Sequence, residues 1–184
     1  MILDFIQGAA LLLALCWLQT INRRLWTDHS VVAPLLSGLL FGSTCIVGML
    51  TPIVLQQGLI FDARTVVLSM AGLFGGPLAA AVAGLMAGSY RLWLGGSGVW
   101  IGLANVLMPV LLGLAYRYCY QRGKLQIGPW QLLAFGLLVH VLMVLLLALL
   151  PAAQASLSLD KVALPILLVL PLATLILGLL LRDI

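Results

Sequence analysis

The chain has 184 residues, of which 64% are hydrophobic and 8% charged, with a mean hydropathy of +1.22. Soluble domains carry about 25% charged residues, so this composition excludes a compact soluble enzyme, a disordered chain and a secreted disulfide scaffold. Nine Lys and Arg against five Asp and Glu give a net charge of +4, which in so apolar a chain speaks to membrane topology rather than to nucleic acid.

The apolar runs are continuous and Leu-rich, which argues against a β-barrel, whose strands alternate polar and apolar residues. The expected fold class is an all-α membrane protein, a polytopic bundle of six to seven transmembrane helices in one domain over 1–184. The first run, 2–20, resembles a signal peptide in length. It opens on Asp4 rather than on a basic segment and no small-residue cleavage site follows, so it is read as a retained helix. A second span covers 32–50. Later spans are expected at 99–118, 130–150 and 162–181, each about 20 apolar residues long.

The stretch 61–93 is different. As one helix it would reach roughly 45 Å at 1.5 Å per residue, well beyond a 30 Å hydrocarbon core. Gly75-Gly76-Pro77 lies in its middle. Glycine permits a turn there and proline favours the first turn of a following helix, so a short hairpin with arms 61–74 and 77–93 is preferred. Charge placement supports it. With six spans the cations divide without bias. With seven, Arg23, Arg24, Arg117, Arg122, Lys124 and Arg182 share one side, and Arg64, Arg91 and Lys161 the other. That asymmetry puts the larger set, and the C-terminus, in the cytoplasm. Arg117, Arg122 and Lys124 then need no role beyond orientation and lipid contact.

The hairpin brings Asp62, Arg64 and Arg91 to the same, outer side. Asp62 is placed as the N-cap of the first arm. Arg64 would follow at the second helical position, where the helix dipole disfavours a cation that no anion answers. Arg91 closes the second arm, and Gly95-Gly96-Ser97-Gly98 then opens the next helix. Gly-rich backbone at a helix N-terminus presents N–H groups to anions. Two arginine forks and these amides make a carboxylate or phosphate pocket. Asn105, two turns into that helix, needs either an interhelical hydrogen bond or a ligand. Gln56 and Gln57 could line the mouth. His140 reads as a satisfied packing histidine, Trp93 and Trp100 as interfacial residues, and Cys16, Cys45 and Cys119 as buried free thiols. The pairs Gly38/Gly42, Gly72/Gly76, Gly84/Gly88 and Gly98/Gly102 are read as bundle packing before dimerisation. Neither a metal site nor a cofactor nor a catalytic set is expected. The chain ends on an apolar run with Arg182-Asp183-Ile184 and no helix stop, which suggests a module continued by a cytoplasmic output domain.

Asp62-Ala63-Arg64, the run Ala71 to Pro77, Tyr90-Arg91-Leu92 and Gly95-Gly96-Ser97-Gly98 together resemble the transmembrane receptors of the LytS/YhcK type (5TMR-LYT), most specifically over 38–113. The resemblance implies a sensor in a bacterial cytoplasmic membrane, joined to a histidine kinase or a GGDEF diguanylate cyclase and acting as a homodimer. It further implies a small carboxylate ligand such as pyruvate, bound by Arg64 and Arg91. Two further polar positions of the family fall near Gly102 and Asn105, with Gly102 standing where relatives carry a thiol. The fold also resembles the substrate-binding S-component of energy-coupling-factor transporters, so a transporter subunit is the competing reading, and a purely structural anchor the third.

Overall fold

The computed structural model describes residues 2–26, 31–50, 53–56, 59–61, 63–96, 98–148 and 152–184, with side chains over 2–6, 53–61, 152–163 and 165 left out of the description. Seven α-helices follow one another: α1 Ile2–Leu25, α2 Val32–Leu50, α3 Arg64–Met70, α4 Gly76–Leu94, α5 Val99–Gln121, α6 Pro129–Ala148 and α7 Ala152–Arg182. A π-helical turn, Ala71–Gly75, joins α3 to α4. Among the described residues four helical stretches are long and apolar enough to cross a membrane, namely Val32–Leu50, Arg64–Leu94, Val99–Gln121 and Pro129–Ala148, with a shorter apolar helix over Ile166–Arg182. This is a multi-pass helical membrane protein.

Several helices outrun the spans expected from hydropathy. α1 continues to Leu25, through Gln19, Asn22, Arg23 and Arg24. Polar residues end an apolar pattern without ending a helix, because the backbone ladder is indifferent to what the side chains face. Here the polar side chains are used. Ser37 Oγ donates to Gln19 Oε1 at 2.8 Å, and Asn22 Nδ2 donates to Ser37 Oγ and to the Ala33 carbonyl, both at 2.9 Å. A buried polar triad thus fixes α1 on α2. A further departure lies at 53–61, expected as loop. Ile53–Gln56 and Leu59–Phe61 form a two-stranded antiparallel ribbon, with Ile53 paired to Phe61 and Val54 to Ile60.

The stretch Arg64–Leu94 is unbroken in its helical residues, yet the chain reverses within it. A Cβ built on Gly72 would lie 2.8 Å from the Val110 carbonyl oxygen, and one on Gly84 3.6 Å from Val110 Cγ2. A straight helix would hold two residues twelve apart about 18 Å from each other along its axis, so they could not both meet Val110. The arms are splayed, and α5 packs between them. Gly76 makes the turn, with φ +83° and ψ −176°, a region open in practice to glycine alone. Pro77 follows at the start of α4 and has no N–H with which to close a turn onto the Leu73 carbonyl. Arg117 supplies the missing donor. Its Nη1 donates to the Leu73 carbonyl at 2.9 Å and to Phe74 at 3.2 Å, while Arg23 Nη2 donates to Phe74 at 3.3 Å. Arg117 is therefore more than an orienting charge: it caps the apex of the hairpin.

Replacing Gly76 with alanine should cost about 1–3 kcal/mol of backbone strain, with Arg117 Cζ also 3.4 Å from the new methyl. Thermal unfolding in detergent checks this, and an unchanged midpoint would show that the turn is not made as described.

The first arm lies at the centre of the bundle. Thr65 to Met70 are all buried, with the Thr65 hydroxyl bonded to His140 and the Ser69 hydroxyl to the Val66 carbonyl. Phe41 on α2, Leu132 on α6 and Leu170 and Leu177 on α7, helices that pack on it, have 2% or less of their surface exposed. The glycine pairs behave as bundle packing. Gly38 and Gly42 on α2 face Val82 and Met86 on α4, and Gly136 on α6 faces Pro171 and Thr174 on α7.

Candidate functional site

Local geometry at the hairpin's open end follows from three glycines. Gly95 has φ +66° and ψ −154° and Gly96 has φ +93°, so the turn from α4 into α5 needs residues without a Cβ. It folds the Gly95 carbonyl back over the last turn of α4, where Arg91 Nη1 donates to it at 2.7 Å. On α5, Gly102 offers the flat surface on which Arg91 lies. A Cβ there would collide with Arg91 Nε and approach Cζ to 3.1 Å. Asn105 follows three residues later, on the same face of α5. It is 2% exposed, and its Oδ1 is buried without a hydrogen-bond partner among the described residues.

Arg64 reaches the same end from the other arm. Gly38 against Val82 and Gly42 against Met86 make α2 and α4 run parallel with an offset of 44 residues (82 less 38, 86 less 42). At that offset Cys45 is level with Ser89 and Met49 with Trp93. Cys45 Sγ lies 4.0 Å from the Arg64 carbonyl, and Arg64 Nη1 lies 3.5 Å from Met49 Sδ. Arg64 and Arg91, 27 residues apart in sequence, therefore stand at one height of the bundle. Both are half-buried.

The residue after Arg64 continues inward. Thr65 Oγ1 lies 3.1 Å from His140 Nε2, whose Nδ1 lies 2.6 Å from the Gly136 carbonyl. With Nδ1 protonated against that carbonyl, Nε2 accepts from the threonine hydroxyl. His140 is fully buried and satisfied at both nitrogens, as the sequence reading held.

Several expected roles are revised. Asp62, Ser97 and Gln57 lie outside the described residues, as does the Gln56 side chain. The N-cap position of α3 is Ala63, with no side-chain cap, and Arg64 is the first helical residue. The Gly95 amide is not open to an anion, because it donates to the Leu92 carbonyl at 3.1 Å. The Gly95 carbonyl instead accepts from Arg91 and steers it. Gly98 precedes α5 and its carbonyl accepts from Gly102 N at 2.8 Å. Trp93 and Trp100 are exposed at this end, in keeping with an interfacial belt. No group of three or more metal-ligating side chains occurs among the described residues.

A separate cavity of about 350 Å³ lies between α1 and α7, lined by residues such as Leu12, Ala63, Val169, Ala173 and Leu177. Its walls are aliphatic and carry no charge, so nothing there would hold a carboxylate.

Gly102→Ala is expected to push Arg91 off α5. Its effect should appear as lost ligand affinity with little change in unfolding temperature, since Arg91 can swing outward. Retained affinity in this variant would show that Arg91 does not act from its observed position.

The chain is an apolar helical membrane bundle in which a hairpin carries Arg64 and Arg91 near its open end. The chain belongs to the family described as the 5TMR of 5TMR-LYT, whose profile matches residues 20–184. Domains of this family are sensors rather than catalysts. No curated protein and no solved structure matches the chain.

Proposed function

We propose that the domain is a receptor for a small, pyruvate-like carboxylate, clamped by Arg64 and Arg91 at the outer face of a bacterial cytoplasmic membrane. The observation that carries this reading is the reversal at Gly76, which leaves the two guanidiniums at one end of the bundle, with Asn105, whose Oδ1 has no partner among the described residues, one turn below Arg91. Guanidinium forks match carboxylate geometry. Among the described residues Arg91 bonds only the Gly95 carbonyl, so its remaining donors are open to a ligand. Asn105 would take the ligand's second polar group.

A signal needs two states that differ in ligand affinity. In this reading the hairpin shifts when the arginines close. Thr65 carries the shift to His140 on α6, and α6 meets α7 in close backbone contact at Gly136. The last helix would then drive a cytoplasmic histidine kinase or diguanylate cyclase within a homodimer. The end bearing Arg23, Arg24, Arg117, Arg122, Lys124 and Arg182 is taken as cytoplasmic.

A thermal-shift screen of small carboxylates on purified protein tests the reading. Stabilisation by pyruvate or a related 2-oxo or 2-hydroxy acid, lost in Arg91→Ala, is the expected result. No stabilisation by any carboxylate at millimolar concentration would overturn it.

A further inference from the structure

The end of the bundle opposite Arg64 and Arg91 holds a second arginine pair that the sensor reading does not use. Arg23 on α1 and Arg117 on α5 both donate to the Phe74 carbonyl, at 3.3 and 3.2 Å, so their guanidiniums adjoin. One carbonyl carries only a fraction of a charge, and two adjacent cations repel. Among the described residues neither arginine makes an ion pair. The described carboxylate at this end, Asp183, is held by Arg182 at 2.9 Å. Among the described residues the side-chain hydrogen bonds of this pair go to Leu73 and Phe74, which leaves each guanidinium with further donors. Arg23 is exposed and Arg117 half-buried. Exposed Trp26, Tyr118, Tyr120 and Trp130 ring the same end, at the height where aromatic residues meet lipid headgroups.

We infer that Arg23 and Arg117 form a binding site for a phosphate anion at the hairpin apex, supplied by an anionic phospholipid headgroup or by free phosphate. The two arginines are fixed in place by the carbonyls they cap, so an arriving phosphate orders little and relieves their repulsion. Basic pockets between transmembrane helices bind lipid phosphates in this way. The site is independent of the carboxylate reading, because it lies at the other end of α4 and shares no residue with it.

Delipidated protein in neutral detergent is titrated with dioleoyl-phosphatidylglycerol, dioleoyl-phosphatidylcholine and inorganic phosphate. Native mass spectrometry follows retained lipid, and thermal unfolding follows all three. Phosphatidylglycerol should be retained in preference to phosphatidylcholine. Arg23→Gln and Arg117→Gln should each weaken retention about fivefold, the factor equivalent to about 1 kcal/mol per cation near a membrane surface. Arg122→Gln removes a cation held over the Tyr118 ring, 4.2 Å from its centroid, and should leave retention unchanged. Stabilisation by inorganic phosphate, lost in the same two variants, supports the site and assigns it to the free anion. Equal retention of the two lipids without any phosphate effect overturns the proposal. So does equal binding by Arg23→Gln and the unaltered protein, or an equal loss in Arg122→Gln. Among the described residues Arg23 makes one bond, an exposed one, so its variant serves even where Arg117→Gln does not fold.

Discussion

Arg91→Ala will lower carboxylate affinity by about 30-fold or more while the protein still folds. Truncating one partner of a desolvated charge pair costs about 2–5 kcal/mol, and each 1.4 kcal/mol is tenfold in affinity. The fold loses little, because Arg91 is half-buried at a helix end and its observed bond is to a carbonyl of an adjoining loop. Arg64→Ala should show a similar loss of binding, with a larger effect on stability. Its Nη1 lies 3.5 Å from Met49 Sδ, so a contact with α2 is lost along with the charge. Lysine at either position should rescue only in part, since an ammonium is a point charge and cannot present a planar fork. Calorimetric titration of the two alanine variants decides the matter. Unchanged affinity in either one removes that arginine from the site.

Gly113→Ala should be the most destabilising small substitution in the bundle. At this point α5 crosses the first arm of the hairpin backbone to backbone. A Cβ on Gly113 would collide with the Ser69 carbonyl oxygen and lie 3.1 Å from both Gly72 Cα and Leu73 N. Backbone cannot swing aside as a side chain can, so the helices must separate. Overpacking costs about 1–3 kcal/mol even where side chains adjust, and small residues supply much of the close contact between helices in lipid. A fall in unfolding temperature on the order of 5 °C follows. Gly84→Ala is the matched control. It lies on the other arm, and its new methyl would meet only Val110 Cγ2, at 3.6 Å, an ordinary contact. Equal effects of the two substitutions would mean that α5 does not cross the first arm at Gly113.

The hairpin was legible because Gly-Gly-Pro is a local signal and because the tally of cations depends on a single reversal. The two arginines were legible for the same reason, as charges too rare in this composition to be casual. Asn105 stood out as an amide at membrane depth. Other parts were hidden because they depend on what packs where. Nothing around Arg117 marks it as the cap of a carbonyl 44 residues earlier. Its role arises only when Pro77 withholds a donor and α5 passes beside the apex. Gly95 looked like an anion-binding amide, since a Gly-rich segment before a helix commonly presents its N–H groups. Here a positive φ at Gly95 turns its amide onto Leu92 and its carbonyl onto Arg91. Gln19, Asn22 and Ser37 were visible as polar residues in or beside apolar runs, but their mutual bonding required α1 and α2 to be placed side by side.

Composition and local chemistry thus determined by themselves that the chain is a helical membrane protein, and they favoured a reversal at Gly75-Gly76-Pro77 that brings Arg64 and Arg91 to one end. These are consequences of solvation and of backbone torsions, which each residue carries wherever the chain goes. Only the tertiary structure decided that Gly102 is the bed of Arg91, that Thr65 is tied to His140 and that Arg23 and Arg117 meet at the apex. Those contacts join residues from 11 to 94 positions apart, and they depend on helix rotation and register. Both are set by close packing of whole faces rather than by any one residue's preference.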